Sequence, residues 1–324
     1  MNAPRVALAS PFVPPEWIAA HGAHAFPMPG AEDAPAPEGR CPYAATLHAI
    51  ATGPQQTLGE PVDLIVLATT CDQMRRASET TDTYPRVFCF GLPHTWGTPT
   101  AWRAYRAELE RLSRRLRALG CSAPAPAVLA EHMRAAEIRR DAALGHAGPA
   151  RERAAALLAA RSLSASGPAA PVTGPRRSGA VPLALIGGHL RPSDRWLYDL
   201  VEDAGTRVVL DATEWGERTL PRRFDGRALR EDPVGELVDA YFGYIPAAFR
   251  RPNSHLFAWL RRALNASDAR ACVFVRQSWC DMWHAEWPRL REWCARPAVT
   301  LAFGDHAASA SARTRIEALV ERIA

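Results

Sequence analysis

The sequence contains no lysine: its 39 fixed cations are all arginine, set against 34 aspartates and glutamates for a formal net charge of +5. A basic balance built wholly from arginine reads as the codon bias of a GC-rich genome. The pairs Arg75-Arg76, Arg176-Arg177 and Arg222-Arg223 have no interleaved aromatic stripe, so no nucleic-acid partner is expected. Planar guanidinium forks do suit the phosphates of a small acidic ligand. No apolar run approaches the ~20 residues of a membrane-spanning helix. The first residues lack the basic-then-apolar order of a secretion signal, so the expected location is the cytoplasm, with no membrane partner. Cys-x-x-Cys is absent, which excludes a locally written zinc ribbon or ferredoxin-type loop. Seven cysteines without a secretion signal also argue against a disulfide framework. Any metal site must therefore be assembled from distant segments. Gly-x-Gly-x-x-Gly is missing too, and with it the dinucleotide fingerprint.

What is present is a 324-residue chain, 48% hydrophobic and 23% charged, long enough for about two domains with their own cores. Its centre is Pro61-Val62-Asp63-Leu64-Ile65-Val66-Leu67-Ala68-Thr69-Thr70-Cys71-Asp72. The short, β-branched apolar middle reads as a buried parallel strand. The following Gln73 to Glu79 reads as a helix, so Cys71 stands at a strand-to-helix junction, where open α/β sheets place ligands. The positive end of the helix dipole favours a thiolate there; alternatively Cys71 is a small buried hydrophobe. A second junction of the same kind follows the strand Ala271 to Gln277, at Ser278-Trp279-Cys280-Asp281. Two such junctions suggest two facing sheets that share one site. Cys41, in Gly39-Arg40-Cys41-Pro42-Tyr43, also stands near a helix start.

Along the chain, Arg5 to Ser10 reads as a strand and Pro15 to His21 as a short helix in which Glu16 complements the dipole or faces a ligand. Met28 to Gly39 reads as a loop. Arg86 to Phe90 is a further strand with Cys89 in its middle. Helices are expected over Thr100 to Leu119, Pro126 to Gly145 and Pro149 to Arg161, with Cys121 in a turn. Ser162 to Gly179 is rich in Ser, Ala, Gly and Pro and reads as a linker. The expected division is an N-terminal α/β lobe with a helical extension over 1–161, a linker over 162–179, and a C-terminal α/β lobe over 180–324. The second lobe opens with a strand running into Gly187-Gly188-His189, then a helix over Pro192 to Ala204 and a strand Thr206 to Asp211. Its exit loop carries Glu214 and Arg218, which act on a ligand or pair with each other on the surface. Helices follow over Asp232 to Gly243, Asn253 to Leu264 and from Met282. Trp283, Trp287 and Trp293 on the last of these read as core filling. A strand over Val299 to Phe303 and a helix over Ala312 to Ile323 close the chain.

Eight collinear segments carry a resemblance. They are Pro14 to Gly22, Cys41-Pro42-Tyr43, Thr70-Cys71-Asp72-Gln73-Met74-Arg75-Arg76, Phe90-Gly91-Leu92-Pro93-His94, Leu197 to Gly205, Glu214-Trp215-Gly216-Glu217-Arg218, Trp279-Cys280-Asp281 and Arg313 to Ala318. Through most of its length the chain is similar to the 2-hydroxyacyl-CoA dehydratase D-component family, which groups those subunits with benzoyl-CoA reductase subunits and double-cubane cluster proteins. The resemblance implies two Rossmann- or flavodoxin-like lobes with parallel sheets and added helices, and an iron–sulfur site between the lobes. It implies a 4Fe-4S cluster on Cys41, Cys71 and Cys280 with one iron open. It further implies an acyl-CoA substrate, a homologous second subunit or a homodimer, and an activator ATPase with its own iron–sulfur cluster. In such dehydratases one injected electron makes a ketyl radical of the thioester, and water is expelled from the 2-hydroxyacyl-CoA. Asp72 is expected to cap its helix, and Glu16, Glu214 and Arg218 are the pocket candidates. A benzoyl-CoA reductase-like subunit and a double-cubane-type reductase or electron-transfer protein are the alternatives; a zinc site adding a histidine such as His48 is a remote one.

Overall fold

The computed structural model describes residues 3–28, 36, 38–53, 61–81, 84, 86–163, 180–303 and 308–323. The first lobe carries strands β1 (Arg5–Leu8), β2 (His24–Pro27), β3 (Leu64–Ala68) and β4 (Val87–Phe90) and helices α1 (Pro15–Ala20), α2 (Pro42–Thr52), α3 (Asp72–Thr81), α4 (Pro99–Ala118), α5 (Pro126–Leu144) and α6 (Ala150–Ala159). The second carries β5 (Val181–Gly187), β6 (Thr206–Ala212), β7 (Ala271–Gln277) and β8 (Ala298–Phe303), with α7 (Trp196–Asp203), α8 (Ala228–Glu231), α9 (Pro233–Val238), α10 (Ser254–Ala266), α11 (Asp281–Trp293) and α12 (Ala308–Ile323). Each lobe has one four-stranded sheet, in the orders β2-β1-β3-β4 and β6-β5-β7-β8, with all pairings parallel. This is the two-lobe α/β architecture expected from the strand and helix alternation.

All five residues of β3, and six of the seven in β7, are buried. A parallel sheet covered on both faces demands this, and it explains why those strands read as unbroken apolar runs rather than alternating ones. In each sheet the chain moves outward from the first strand to one side, then crosses to the other. The point of reversal lies between β1 and β3 in one lobe and between β5 and β7 in the other. The carboxyl ends of strands at such a point open a crevice that no connection crosses.

Several element boundaries differ from expectation. Strand β2 has no counterpart in the sequence reading; it is four residues long and includes His24 and Pro27, too little for a periodic signal. The expected helix over 192–204 starts as a separate 3-10 turn, Pro192–Asp194, because the Asp194 carboxylate turns back to accept from the Arg191 N–H. The expected helix over 232–243 is α9 followed by a π-helical turn, Asp239–Gly243. Most of the expected loop 28–39 and linker 162–179, and residues 304–307, lie outside the described residues.

The largest core joins both halves of the chain. Phe12, Trp17, Leu109, Leu116 and Met133 of the first lobe pack with Phe224, Leu237, Tyr241, Phe242 and Phe249, which follow β6 in sequence. A buried polar knot ties the same elements: Arg140 on α5 pairs with Glu16 on α1 at 2.5 Å, and the Tyr241 hydroxyl donates to the other Glu16 oxygen at 2.7 Å. The His21 ring bridges the Trp17 carbonyl and the Ser113 hydroxyl, each at 2.7 Å. The conspicuous run Pro14 to Gly22 thus anchors helix α1 in the core.

Candidate functional site

Cys41, Cys71 and Cys280 occupy the same local structure three times over. Each immediately precedes a helix, α2, α3 and α11 respectively. Each offers its carbonyl to the first N–H bonded within its helix: Ala45 to Cys41 at 2.9 Å, Arg75 to Cys71 at 2.8 Å and His284 to Cys280 at 2.9 Å. At an N-cap the side chain faces N–H groups that have no partner inside the helix. The Met74 N–H accordingly points at the Cys71 sulfur at 3.4 Å. The capping position expected for Asp72 therefore belongs to Cys71, because Asp72 is already the first helical residue. The turn carrying Cys71 is braced by the neighbouring Gly91 to His94 segment. Leu92 N–H donates to the Thr69 hydroxyl at 2.9 Å, and the His94 ring contacts the Thr69 carbonyl at 2.9 Å.

Cys71 follows β3 and Cys280 follows β7, so both lie at the strand ends that border the reversal points of the two sheets. The charge of Cys41 acts on both other thiols, and that of Cys71 on Cys280. Burial pushes the Cys71 thiol up to about 11; the Met74 N–H opposes the rise and the charge of Cys41 adds to it. Cys280 is raised by burial and then by Cys41, with Cys71 and Glu214 adding. Cys41 is raised by burial, against the N–H groups of Ala44 and Tyr43 and the cation of Arg191. The expectation that the helix dipole would favour thiolates is thus corrected. Desolvation outweighs the N–H groups, and the thiols repel charge from each other. Holding all three as thiolates calls for added positive charge, which is what a thiolate-binding metal group supplies. Among the described residues no three His, Cys, Asp or Glu side chains are grouped tightly enough to hold a single metal ion. His48 contacts the Thr80 hydroxyl at 3.2 Å.

Beside Cys280 a cavity of about 710 Å³ is walled by Arg40, Pro42, Arg276, Trp279, Asp281 and His284, drawing on both lobes. Trp279 is 49% exposed and holds a φ of 61°. The left-handed region is costly for a bulky residue, so the surroundings must fix it there. The tight chain entry to α11 imposes this, as the Cys280 N–H bonds back to the Gln277 carbonyl.

Two residues to which the sequence assigned no role join the lobes. Tyr43, two positions after Cys41, stacks flat on His189 after β5. The Gln277 amide donates to the His189 carbonyl at 3.0 Å and to Asp194 at 2.6 Å, while Asp194 also pairs with Arg191. The available signal was the Gly187-Gly188 pair before His189. A Cβ on Gly187 would meet the Val275 carbonyl oxygen at 1.8 Å, and one on Gly188 would meet the Trp283 ring at 2.9 Å. The glycines let β5 end hard against β7 and α11.

Glu214 and Arg218 pair with each other, but in the interior rather than on the surface: Glu214 is 4% exposed and Arg218 fully buried. The guanidinium also donates to the carbonyls of Ala212 at 3.1 Å and Pro246 at 2.7 Å and lies over the Trp283 ring. The Arg161 guanidinium pins the same loop through the Trp215 and Gly216 carbonyls, at 2.8 and 2.9 Å. Glu214 influences Cys280, Tyr43 and His189 and so borders the thiol region. Glu16 is held in the knot with Arg140 and Tyr241 and does not line the cavity. Cys89 lies on β4 and Cys121 follows α4, while Cys272 and Cys294 contact each other.

No helix among the described residues is long and apolar enough to cross a membrane. No curated protein matches the chain significantly. A family model described as 2-hydroxyglutaryl-CoA dehydratase, D-component, matches residues 5–144 and 144–323 and so spans nearly the whole sequence. The chain belongs to the 2-hydroxyglutaryl-CoA dehydratase D-component family.

Proposed function

We propose that the chain is the iron–sulfur subunit of a 2-hydroxyacyl-CoA dehydratase-type enzyme, with a 4Fe-4S cluster held between the lobes by Cys41, Cys71 and Cys280. The observation that carries this reading is the threefold recurrence of a cysteine at a helix N-cap, with the charge of Cys41 felt by both Cys71 and Cys280. A cubane separates its ligands by the width of the cluster, so its thiolates need not crowd round one point as they do for a single ion. When bound, the group supplies one-electron chemistry and an iron position left open by a three-thiolate set.

The chain's own residues do the rest. Backbone N–H groups at the three helix starts, of which that of Met74 already meets the Cys71 sulfur, would hydrogen-bond the sulfurs of the bound group and raise its potential. The Tyr43–His189 stack and the buried Glu214–Arg218 pair fix the two walls of the thiol region. Arg40 and Arg276, which line the cavity, supply guanidinium forks for the phosphates of an acyl-CoA. Glu214, whose charge acts on Cys280, is the residue we assign to substrate orientation, with Arg218 fixing its position. Glu16 keeps a supporting role through the α1–α5 knot. A homologous second subunit or a second copy, and a separate activator ATPase, complete the system.

The test is an anaerobic assay of the reconstituted chain, with its homologous partner, an activator ATPase and ATP, on a series of 2-hydroxyacyl-CoA esters. Formation of the enoyl-CoA is expected. Reduction of an aryl-CoA with no loss of water from any hydroxyacyl ester would instead assign the subunit to the reductases and overturn the dehydratase reading.

A further inference from the structure

The remaining thiols include a pair that the proposed cluster does not use. Cys272 is the second residue of β7 and completely buried, between Ala184 of β5 and Ala298 of β8. Cys294 directly follows α11 and is half-buried. Their sulfurs lie 3.6 Å apart. The contact is held from both sides. The N–H of Cys272 donates to the Pro297 carbonyl at 3.0 Å, and the N–H of Cys294 to the Leu290 carbonyl at 2.9 Å. Arg296 closes the turn between them by donating to the Ala269 and Leu264 carbonyls at 2.9 and 3.0 Å. Cys294 keeps partial exposure while Cys272 has none, so solvent reaches the pair from the Cys294 side.

The geometry points to a peroxide-reactive dithiol at Cys272 and Cys294 that closes reversibly to an intramolecular disulfide. The two thiols divide the work by their surroundings. Contact with Cys272 holds Cys294 below the ordinary thiol range, with the Arg296 N–H and cation assisting, whereas Cys272 is pushed up. Cys294, partly exposed and beside the Arg296 cation, is the nucleophile, and the dry Cys272 the resolving partner. The Cys294 thiolate attacks one oxygen of hydrogen peroxide; the O–O bond breaks, hydroxide leaves, and a sulfenic acid forms. The Cys272 sulfur then attacks the Cys294 sulfur. The S–S bond forms as the S–O bond breaks, and the hydroxyl leaves as water with the Cys272 proton. Two thiols lose two electrons and one peroxide becomes two waters. The disulfide would tie the start of β7 to the end of α11, enclosing the segment that carries Cys280. That consequence rests on the function proposed above; the dithiol chemistry does not.

The experiment treats the full, anaerobically purified chain with equimolar hydrogen peroxide, alkylates the remaining thiols and maps the peptides by mass without reduction. The expected product is one cross-linked pair containing Cys272 and Cys294, formed on the order of tenfold faster than any oxidation of Cys121 and restored to thiols by dithiothreitol. In Cys272→Ser, dimedone should capture Cys294 as the sulfenic acid. Oxidation of wild-type Cys294 beyond the sulfenic acid while Cys272 remains a thiol would overturn the proposal, as would a cross-link no faster than Cys121 oxidation. Cross-links among Cys41, Cys71 and Cys280 would have different masses, so loss of a cluster is read separately.

Discussion

The ring of Tyr43 lies flat on the imidazole of His189, with centroids 3.7 Å apart and planes 9° from parallel. One ring stands at the start of α2 in the first lobe and the other after β5 in the second, so the stack closes the lobes on each other beside Cys41. The Tyr43 hydroxyl is anchored by donating to the Ala9 carbonyl at 2.8 Å, which fixes its ring against the imidazole.

The pH dependence of stability should show this. Burial, assisted by Arg218 and opposed by Glu214, holds His189 at about 4, below the ordinary 6.5. The folded state refuses a proton that the unfolded chain accepts. The contribution of His189 is thus complete above about pH 6.5 and is lost as pH falls towards 4. Urea unfolding of the wild type and of His189→Phe at pH 7 and pH 5 checks this. The phenylalanine keeps the stack but cannot titrate, so the variant should lose less stability between the two pH values; equal losses would show that His189 does not set the pH dependence.

Arg218 is the second test. Replacing it with leucine leaves Glu214 buried without its partner, which typically costs about 3–5 kcal/mol. The exposed pair of Arg227 with Glu231 gives the contrast, since truncating Arg227 should cost less than about 1 kcal/mol. Denaturant midpoints of Arg218→Leu and Arg227→Leu measure the difference.

Gly187 tests the close approach of β5 to β7. A methyl group there meets a backbone oxygen that cannot move aside, so Gly187→Ala should destabilise by about 3 kcal/mol. At Gly226 a methyl group would meet only the Arg230 side chain, at 3.9 Å, so alanine should be accepted there at little cost. Thermal unfolding of the two variants should separate them clearly.

How much of this was legible in the sequence varies with the range of the interaction. The β3–Cys71–α3 and β7–Cys280–α11 junctions are written locally, because a buried parallel strand must be a continuous apolar run and a helix start follows at once. The two lobes follow from the alternation of such units. What the sequence conceals depends on contacts between remote segments. Glu16 meets Arg140 across 124 positions, and neither residue carries a sign of the other. The same holds for Tyr43 and His189. The direction of the thiol shifts is hidden for a related reason: the helix N-terminus is local and visible, whereas desolvation comes from the whole surrounding fold.

The central claim, that Cys41, Cys71 and Cys280 together hold an iron–sulfur cluster, is tested most directly by iron and acid-labile sulfide content after anaerobic purification and reconstitution. The wild type should bind both, Cys41→Ser, Cys71→Ser and Cys280→Ser should each lose most of them, and Cys89→Ser and Cys121→Ser should retain them. A wild-type chain that binds neither iron nor sulfide, or equal losses in all five variants, would contradict the assignment.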